Sequence, residues 1–309
     1  MKTRFVAEVS SNHWTARPLW RAAHLERALA FVDRAAEIGC AAVKFQQFKI
    51  ERLFAPVALR VHEKLRKRAA WELPEEFNAP LAARAREKGI AYASTPFYRS
   101  AVDLLAPHVD FFKIASYQLL WHEILGAVAR TGKPVVLATG MATLSEVRSA
   151  VECLRKHGCT DLTLLHCVSV YPTPAEAANL RAIDTLRKEF DLPVGWSDHT
   201  RDREVIELAV RRFQAAMVEF HFDIDAQGVE SASGHCWSPG EIAWVLRSLE
   251  RGHAHEPLRS HPAFGDGRKE PRAIEELERR WRTDPSDGLR PTLEERARLA
   301  RELPEHEAA

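Results

Sequence analysis

Two histidines, His199 in GWSDHT and His221 in EFHF, each close a short apolar run. Imidazole nitrogens suit Mn, Zn, Fe or Co, and two such ligands leave positions open for water and substrate. A histidine at a strand end also serves as an ordinary structural hydrogen bonder, so the pair is a metal-site candidate that gains weight only from its neighbours. Asp198 and Asp223 lie beside the pair in sequence as prospective acidic partners. Lys44 and Lys113 stand inside otherwise apolar runs, AAVKFQQF and FFKIAS. Burying an ammonium group without a partner is costly, so each must meet an anion. That anion is either a protein carboxylate, Glu8 or Glu219, or the phosphate or carboxylate of a ligand. The hydroxyls of Thr95, Ser116 and Ser197 at the ends of neighbouring runs favour the ligand, with lysine as a point charge and the hydroxyls fixing orientation.

Eight short runs rich in β-branched residues must position these groups: residues 4–10, 41–48, 90–97, 111–116, 134–140, 162–171, 193–199 and 216–223. Amphipathic stretches at 20–38, 74–88, 143–157, 174–189 and 202–213 lie between them, and Gly39, Gly89, Gly132 and Gly158 fall where left-handed helix caps are wanted. Regular β-α alternation admits a closed barrel or a doubly wound sheet. Polar strand ends decide between them. Glu8, Lys44 with Gln46, Thr95, Lys113 with Ser116, Thr139, Tyr171, Ser197 with His199, and Glu219 with His221 close nearly every strand. An open sheet needs such groups at one switch point, whereas a barrel gathers all its strand ends around one mouth. The expected fold is therefore α/β, a (β/α)8 TIM barrel over residues 1–252. No G-x-G-x-x-G or Walker A pattern points to a nucleotide fold. Residues 253–309 are rich in charge, Pro and Gly and read as a C-terminal extension, a lid or dimer arm; its charges at 266–282 read as a solvated helix.

The chain of 309 residues suits one barrel, and 46% hydrophobic content supplies its core. A net charge of +1 gives no global pull towards nucleic acid or a membrane surface, so an anion site must be built locally. The N-terminus runs straight into a strand pattern with no leader-like segment. No apolar run approaches the ~18–20 residues of a membrane span. Cys40, Cys153, Cys159, Cys167 and Cys236 are odd in number and lack CxxC spacing, which fits free thiols rather than disulfides or a structural zinc site. A cytoplasmic location is expected.

In order and spacing, AEVSSNH (7–13), KFQ (44–46), STPF (94–97), KIAS (113–116), ATGMATLSEV (138–147), LLHCVSVYPTPAEAANL (164–180), GWSDHT (195–200) and EFHF (219–222) resemble the N-acetylneuraminate (sialic acid) synthase family. The resemblance spans roughly residues 4–225. It implies a barrel that adds phosphoenolpyruvate to an aldehyde sugar, releases phosphate and forms a nonulosonic or related 2-keto-3-deoxy sugar acid. It implies a divalent metal, typically Mn2+, on His199 and His221. Phosphoenolpyruvate would be held by Lys44, Thr95, Lys113, Ser116, Asn179 and Ser197, with Glu219 also at the substrate site. Gln46 and Tyr171 would line the pocket, Glu8 would be the acid/base, and a homodimer is the expected assembly.

The departures from the family fall mostly on the acceptor side. Ala138 stands where serine is usual, and Asn12-His13-Trp14-Thr15 replaces NHNG. The stretch 223–239 lacks the family's Gly-Pro-Asp, and the C-terminal antifreeze-like domain is missing from the resemblance. His235, Cys236 and Trp237 are either acceptor-pocket residues, with His235 a conceivable extra ligand, or a packed loop. Trp14, Trp196 and Trp237 are either an aromatic wall for a sugar or core filling. In the extension, Arg282 and Arg290 flank a Pro/Gly loop and are candidates to face the acceptor from a lid at 280–291. Two other functions remain open: a metal-dependent pyruvate aldolase or lyase, and a non-catalytic phosphoenolpyruvate or sugar sensor.

Overall fold

The structure, a computed structural model, describes residues 2–15, 21–54, 56–251, 261–271 and Glu275. Eight strands, β1 (Arg4–Ser10), β2 (Ala42–Gln47), β3 (Ala91–Pro96), β4 (Phe111–Ile114), β5 (Val135–Ala138), β6 (Leu162–His166), β7 (Val194–Asp198) and β8 (Met217–His221), form a closed barrel in sequence order. All neighbours are parallel, and β1 closes on β8. The principal helices are α1 (Arg21–Glu37), α2 (Asn78–Glu87), α3 (Arg99–Leu105), α4 (His122–Ala129), α5 (Leu144–Lys156), α6 (Ala182–Phe190), α7 (Arg203–Arg211) and α8 (Pro239–Glu250). One follows each strand, which is the expected (β/α)8 architecture. Among the described residues no helix is long and apolar enough to cross a membrane.

Local sequence explains the helix starts. Thr143 and Glu146 form a reciprocal capping box at α5, and Ser238 and Glu241 do the same at α8 with Pro239 in the first turn. Asp202 accepts from the Glu204 amide to open α7. Gly39, Gly89, Gly132 and Gly158 all take positive φ, as the cap positions required.

Strand alternation divides the core in two. Phe5, Ala7, Val43, Phe45, Tyr92, Phe112, Ile114, Leu137, Leu164, Trp196, Val218 and Phe220 pack outward with the helices. Val6, Ala42, Ala93, Phe111, Val136, Ala138, Leu165, Cys167 and Met217 form a separate interior plug. The polar residues two positions further along the same strands, Glu8, Lys44, Thr95, Lys113 and Glu219, share the inward parity above this plug. Register then sets neighbours: Glu8 lies opposite Lys44 on one side and His221 on the other, and Ser197 lies opposite Glu219.

Expected boundaries run long at several elements, and Tyr171, Ser116 and His199, the last one residue past β7, leave their strands. β6 ends at His166 rather than at 171, so Tyr171 belongs to the following loop. β4 ends at Ile114, and Ser116 begins a 3-10 turn. The amphipathic stretch from 174 becomes a 3-10 turn, a break with Asn179 at φ 51, and then α6 from Ala182. The apolar pattern ran on because these loops are themselves buried between strand ends and helices. The assignment of 266–282 to a solvated helix also fails where the structure describes it, since Lys269 and Glu275 are buried.

Gly195 in β7 is the point of closest strand approach. A Cβ there would stand 2.3 Å from the carbonyl oxygen of Met217 and 2.7 Å from the Leu165 side chain. The backbone contact cannot relax by rotamer change, so Gly195→Ala is expected to destabilise the barrel by about 1–3 kcal/mol or more. The midpoint of urea unfolding reads this directly, and an unchanged midpoint would contradict the register of β7 on β8.

Candidate functional site

At the C-terminal mouth of the barrel, four buried charged side chains alternate in sign. The Lys44 ammonium is ion-paired with Glu8, lies 3.7 Å from Glu219 Oε2 and 3.4 Å from Thr95 Oγ1. Lys113 Nζ lies 3.4 Å from Glu219 Oε1, which also accepts from Ser197 Oγ at 3.2 Å. Glu8 Oε1 accepts from the Ser10 amide at 2.6 Å and from Gln46 Nε2 at 3.3 Å. Burial alone would raise the Glu219 carboxyl, but Lys113 and Lys44, with His221 and His199, hold it at about 2. Burial pulls Lys44 below the usual lysine range, with Glu219 opposing. Both partners foreseen for the lysines are thus in play: each ammonium has a carboxylate near it, and each still faces a mouth lined with hydroxyls. The Lys113 contact is longer than the about 2.7–2.9 Å of a tight charged hydrogen bond, so donor capacity remains there.

Beside Lys113 the loops after β4, β5 and β6 meet. Ser116 Oγ accepts from the Gly140 amide at 2.9 Å and lies 3.3 Å from Cys167 Sγ. A Cβ on Gly140 would stand 2.4 Å from Ser169 Oγ and 2.8 Å from Ser116 Oγ, so only glycine allows this approach. Glu275, 1% exposed, reaches in from the C-terminal segment and accepts from the amides of Met141 at 2.9 Å and Ser169 at 2.8 Å. The approach is secured by Asn179, whose side chain donates to the Arg268 carbonyl and accepts from the Gly267 amide. The structure therefore places Asn179 as a tie for residues 265–268.

The imidazoles stand across the mouth. His199 Nδ1 lies 2.6 Å from the Val168 carbonyl. A carbonyl only accepts, so Nδ1 carries the proton and Nε2 presents its lone pair. His221 Nδ1 lies 3.2 Å from Glu230 Oε2, a carboxylate that burial would raise but that the His221 hydrogen bond and the charges of His221 and His235 hold at about 2. A carboxylate only accepts, so His221 Nδ1 also carries a proton. The ring centres are 5.5 Å apart with planes at 67°. Nε2 bonds of ~2.0–2.1 Å put each ring centre about 3 Å from a shared ion, so this separation is in range. Burial, then the charge of His221, keeps His199 well below the usual histidine range, and it stays neutral as a ligand must. The residues present therefore fit a divalent ion. The Tyr171 ring packs against His199 at 4.2 Å and His221 at 5.6 Å.

Several expected neighbours sit elsewhere. Asp198 accepts from the indoles of Trp196 and Trp237 at 3.0 and 2.9 Å and from Thr200, shaping the loop that carries His199 without touching its ring. Asp223 pairs with Arg27. Trp196 and Trp237 are fully buried core residues and form no sugar wall, while Trp14 stacks on His24 at 3.7 Å. Arg282, Arg290 and the proposed lid lie outside the described residues. Glu230 and Glu275 escaped sequence reasoning, because both come from segments without helical or strand periodicity.

The sequence profile of the NeuB family matches residues 31–254. An uncharacterized protein of Methanocaldococcus jannaschii is 41% identical over 197 residues, 63% of this chain and 56% of its own length. The N,N'-diacetyllegionaminic acid synthase of Campylobacter jejuni is 34% identical over 237 residues, 72% of this chain and 68% of its own length. Among solved structures, the N-acetylneuraminic acid synthetase of Leptospira borgpetersenii superposes with a TM-score of 0.72 at 30% identity, covering 89% of this chain and 90% of that one. The chain thus spans little more than half of its archaeal relative.

Two outcomes follow from the burial. Glu275→Ala strips two buried amides of their acceptor and is expected to cost about 1–3 kcal/mol per unpaired group, read as a lowered unfolding midpoint. His13 and His235 are pulled to about 4 and about 3 by burial, and His199 is lowered as well. Unfolded, these rings take protons near pH 6.5 while the fold refuses them. Stability is therefore complete above that pH and falls below it, by about 1.4 kcal/mol per pH unit for each ring. Urea melts at pH 7.5 and 5 in the presence of a chelator check this; equal stability at both would contradict it.

Proposed function

The chain belongs to the NeuB family, and on that premise we propose that it is a condensing enzyme that joins the three-carbon unit of phosphoenolpyruvate to an aldehyde sugar. The product is a nonulosonic or related 2-keto-3-deoxy sugar acid, and inorganic phosphate is released. The observation that carries this reading is the pairing of Lys44 and Lys113 with Glu8 and Glu219 beside the imidazoles of His199 and His221 at one barrel mouth. An anionic three-carbon donor and a polarisable carbonyl need those two features side by side.

In the proposed chemistry Lys44 and Lys113 face the donor's negative groups, and Thr95, Ser116 and Ser197 orient them. Glu219 stands beside both ammonium groups and opposes the fall that burial imposes on Lys44. His199 and His221 would hold a divalent ion, Mn2+ in this reading, which as a Lewis acid supplies polarisation of the aldehyde oxygen. The enol carbon of the donor forms a bond to the aldehyde carbon, and the aldehyde oxygen is protonated to a hydroxyl. Water adds at the donor's C2 and gives up a proton, and the C2–O bond to phosphate breaks, leaving a ketone. Glu8, oriented by Gln46 and the Ser10 amide, is the group placed to move these protons. Tyr171 covers the imidazoles from the loop after β6.

Incubation with Mn2+, phosphoenolpyruvate and a panel of aldehyde sugars should release phosphate only when both substrates are present, with a product mass equal to their sum plus water minus phosphoric acid. Consumption of pyruvate without phosphate release would instead establish the aldolase reading. Lys113→Met removes a charge-assisted contact of about 1.5–3 kcal/mol and is expected to weaken phosphoenolpyruvate binding by at least tenfold. Calorimetric titration measures this without turnover, and unchanged affinity would remove Lys113 from the donor site.

A further inference from the structure

His235 lies on the loop after β8, between the 3-10 turn Ser231–Ser233 and α8, and is 5% exposed. Its Nδ1 is 2.8 Å from Ser233 Oγ. The hydroxyl has one hydrogen, and Ser233 donates it to the Glu230 carbonyl. Towards His235 the hydroxyl oxygen therefore accepts, and Nδ1 carries the proton. Nε2 is left as a buried lone pair with no hydrogen-bond partner. It lies 3.8 Å from Glu230 Oε2, so two acceptors face each other across a gap that holds no hydrogen. Facing acceptors repel unless a cation sits between or beside them.

Its surroundings are those of the two ligand imidazoles. The His235 ring is 4.5 Å from that of His221 and 5.1 Å from that of Tyr171, which also packs on His199. The ligand-type atoms of His221, Glu230, His235 and Cys236 lie within 4.8 Å of one another, and His199 adjoins this group through His221, with ring centres 5.5 Å apart. In all three histidines the Nδ1 proton is committed, to the Val168 carbonyl, the Glu230 carboxylate and the Ser233 hydroxyl respectively. Fixing one ring nitrogen on an acceptor is how a protein turns the other towards a metal.

We propose that His235 is a third imidazole ligand of the divalent ion held by His199 and His221, with Glu230 as the carboxylate that orients His221. Three neutral nitrogen ligands retain the ion more tightly than two and leave fewer open positions, so the acceptor sugar meets a more restricted face. The proposal rests on the metal reading given above and goes beyond its two histidines.

The test uses the full chain stripped with a chelator and titrated with Mn2+ in competition with a fluorescent chelator. His235→Ala and His199→Ala are each expected to weaken Mn2+ binding by ~10-fold or more. Thermal melts of the metal-free proteins show whether the variant fold is intact. Should His235→Ala unfold, His235→Asp, which offers an oxygen ligand, is expected to fold and bind with intermediate affinity. In crystals soaked with Mn2+, the anomalous peak should lie at ~2.0–2.3 Å from Nε2 of His235 as well as from the other two rings. Wild-type affinity in a folded His235→Ala protein, or a peak on His199 and His221 with His235 out of bonding distance, overturns the proposal alone. Absence of Mn2+ binding by the wild type overturns the metal reading and this proposal with it.

Discussion

The alternation of Glu8, Lys44, Glu219 and Lys113 across the barrel mouth is the constraint on which the rest of the site depends. Each of the four is buried, and none could remain ionised there alone. Glu219 reaches both ammonium groups, while Glu8 takes Lys44 from the other side. The arrangement is possible because closure sets β1 between β2 and β8, while Glu219 reaches across the barrel from β8 to Lys113 on β4. An open sheet with the same strands would leave β1 and β8 at opposite edges and separate Glu8 from His221. Below these charges the barrel interior is lined by apolar side chains, among them Val6, Phe111, Leu165 and Met217.

Around that charged ring the loops are held by carboxylates that come from a distance in sequence. Glu230 binds the Ser10 hydroxyl and the His221 imidazole, tying the loop after β1 to the loop after β8. Its amide donates to Asn12, which in turn donates to the Phe222 carbonyl. Glu275 does the same on the opposite side, spanning the loops after β5 and β6. In both cases a buried carboxylate satisfies backbone or side-chain donors that a loop cannot satisfy internally. The C-terminal segment at 261–271 is part of this arrangement: Leu180 and Arg181 donate their amides to Ala263 and Phe264, and Phe264 packs edge-on against Phe213.

The loop after β8 is constructed differently from the charged strand ends. The stretch 223–239, where the family's Gly-Pro-Asp is missing, folds back on the N-terminal loop. Gly228 approaches Asn12 so closely that a Cβ would stand 2.4 Å from its Oδ1, and Arg27 clamps Asp223 and Asp225. These contacts bring Glu230 and His235 to the imidazoles. The loop after β8 is thus held by contacts distant in sequence, while Glu8, Lys44, Thr95, Lys113, Ser197 and Glu219 keep strand positions fixed by register.

Period-two alternation, the Gly caps and the polar strand ends made the eight-stranded barrel legible in the sequence, because each is a local consequence of chain geometry. Lysines inside apolar runs likewise announced a buried anion, since desolvation forbids the alternative. What the sequence left open was which anion, and only barrel closure, which seats Glu8 beside Lys44 and aims Glu219 across at Lys113, shows that protein carboxylates stand beside both ammonium groups. The strand pattern also ran past its true ends, so Tyr171, Ser116 and His199 proved to lie beyond their strands: buried loops carry the same apolar composition as buried strands. Asp198 and Asp223 were adjacent to the histidines in sequence yet turn to the tryptophans and Arg27, whereas Glu230, nine residues from His221, supplies its hydrogen bond. Sequence determines which groups a strand can aim inward, since that is a matter of parity. Which groups then meet is decided by loops whose course depends on contacts more than two hundred residues apart, and no local pattern encodes those.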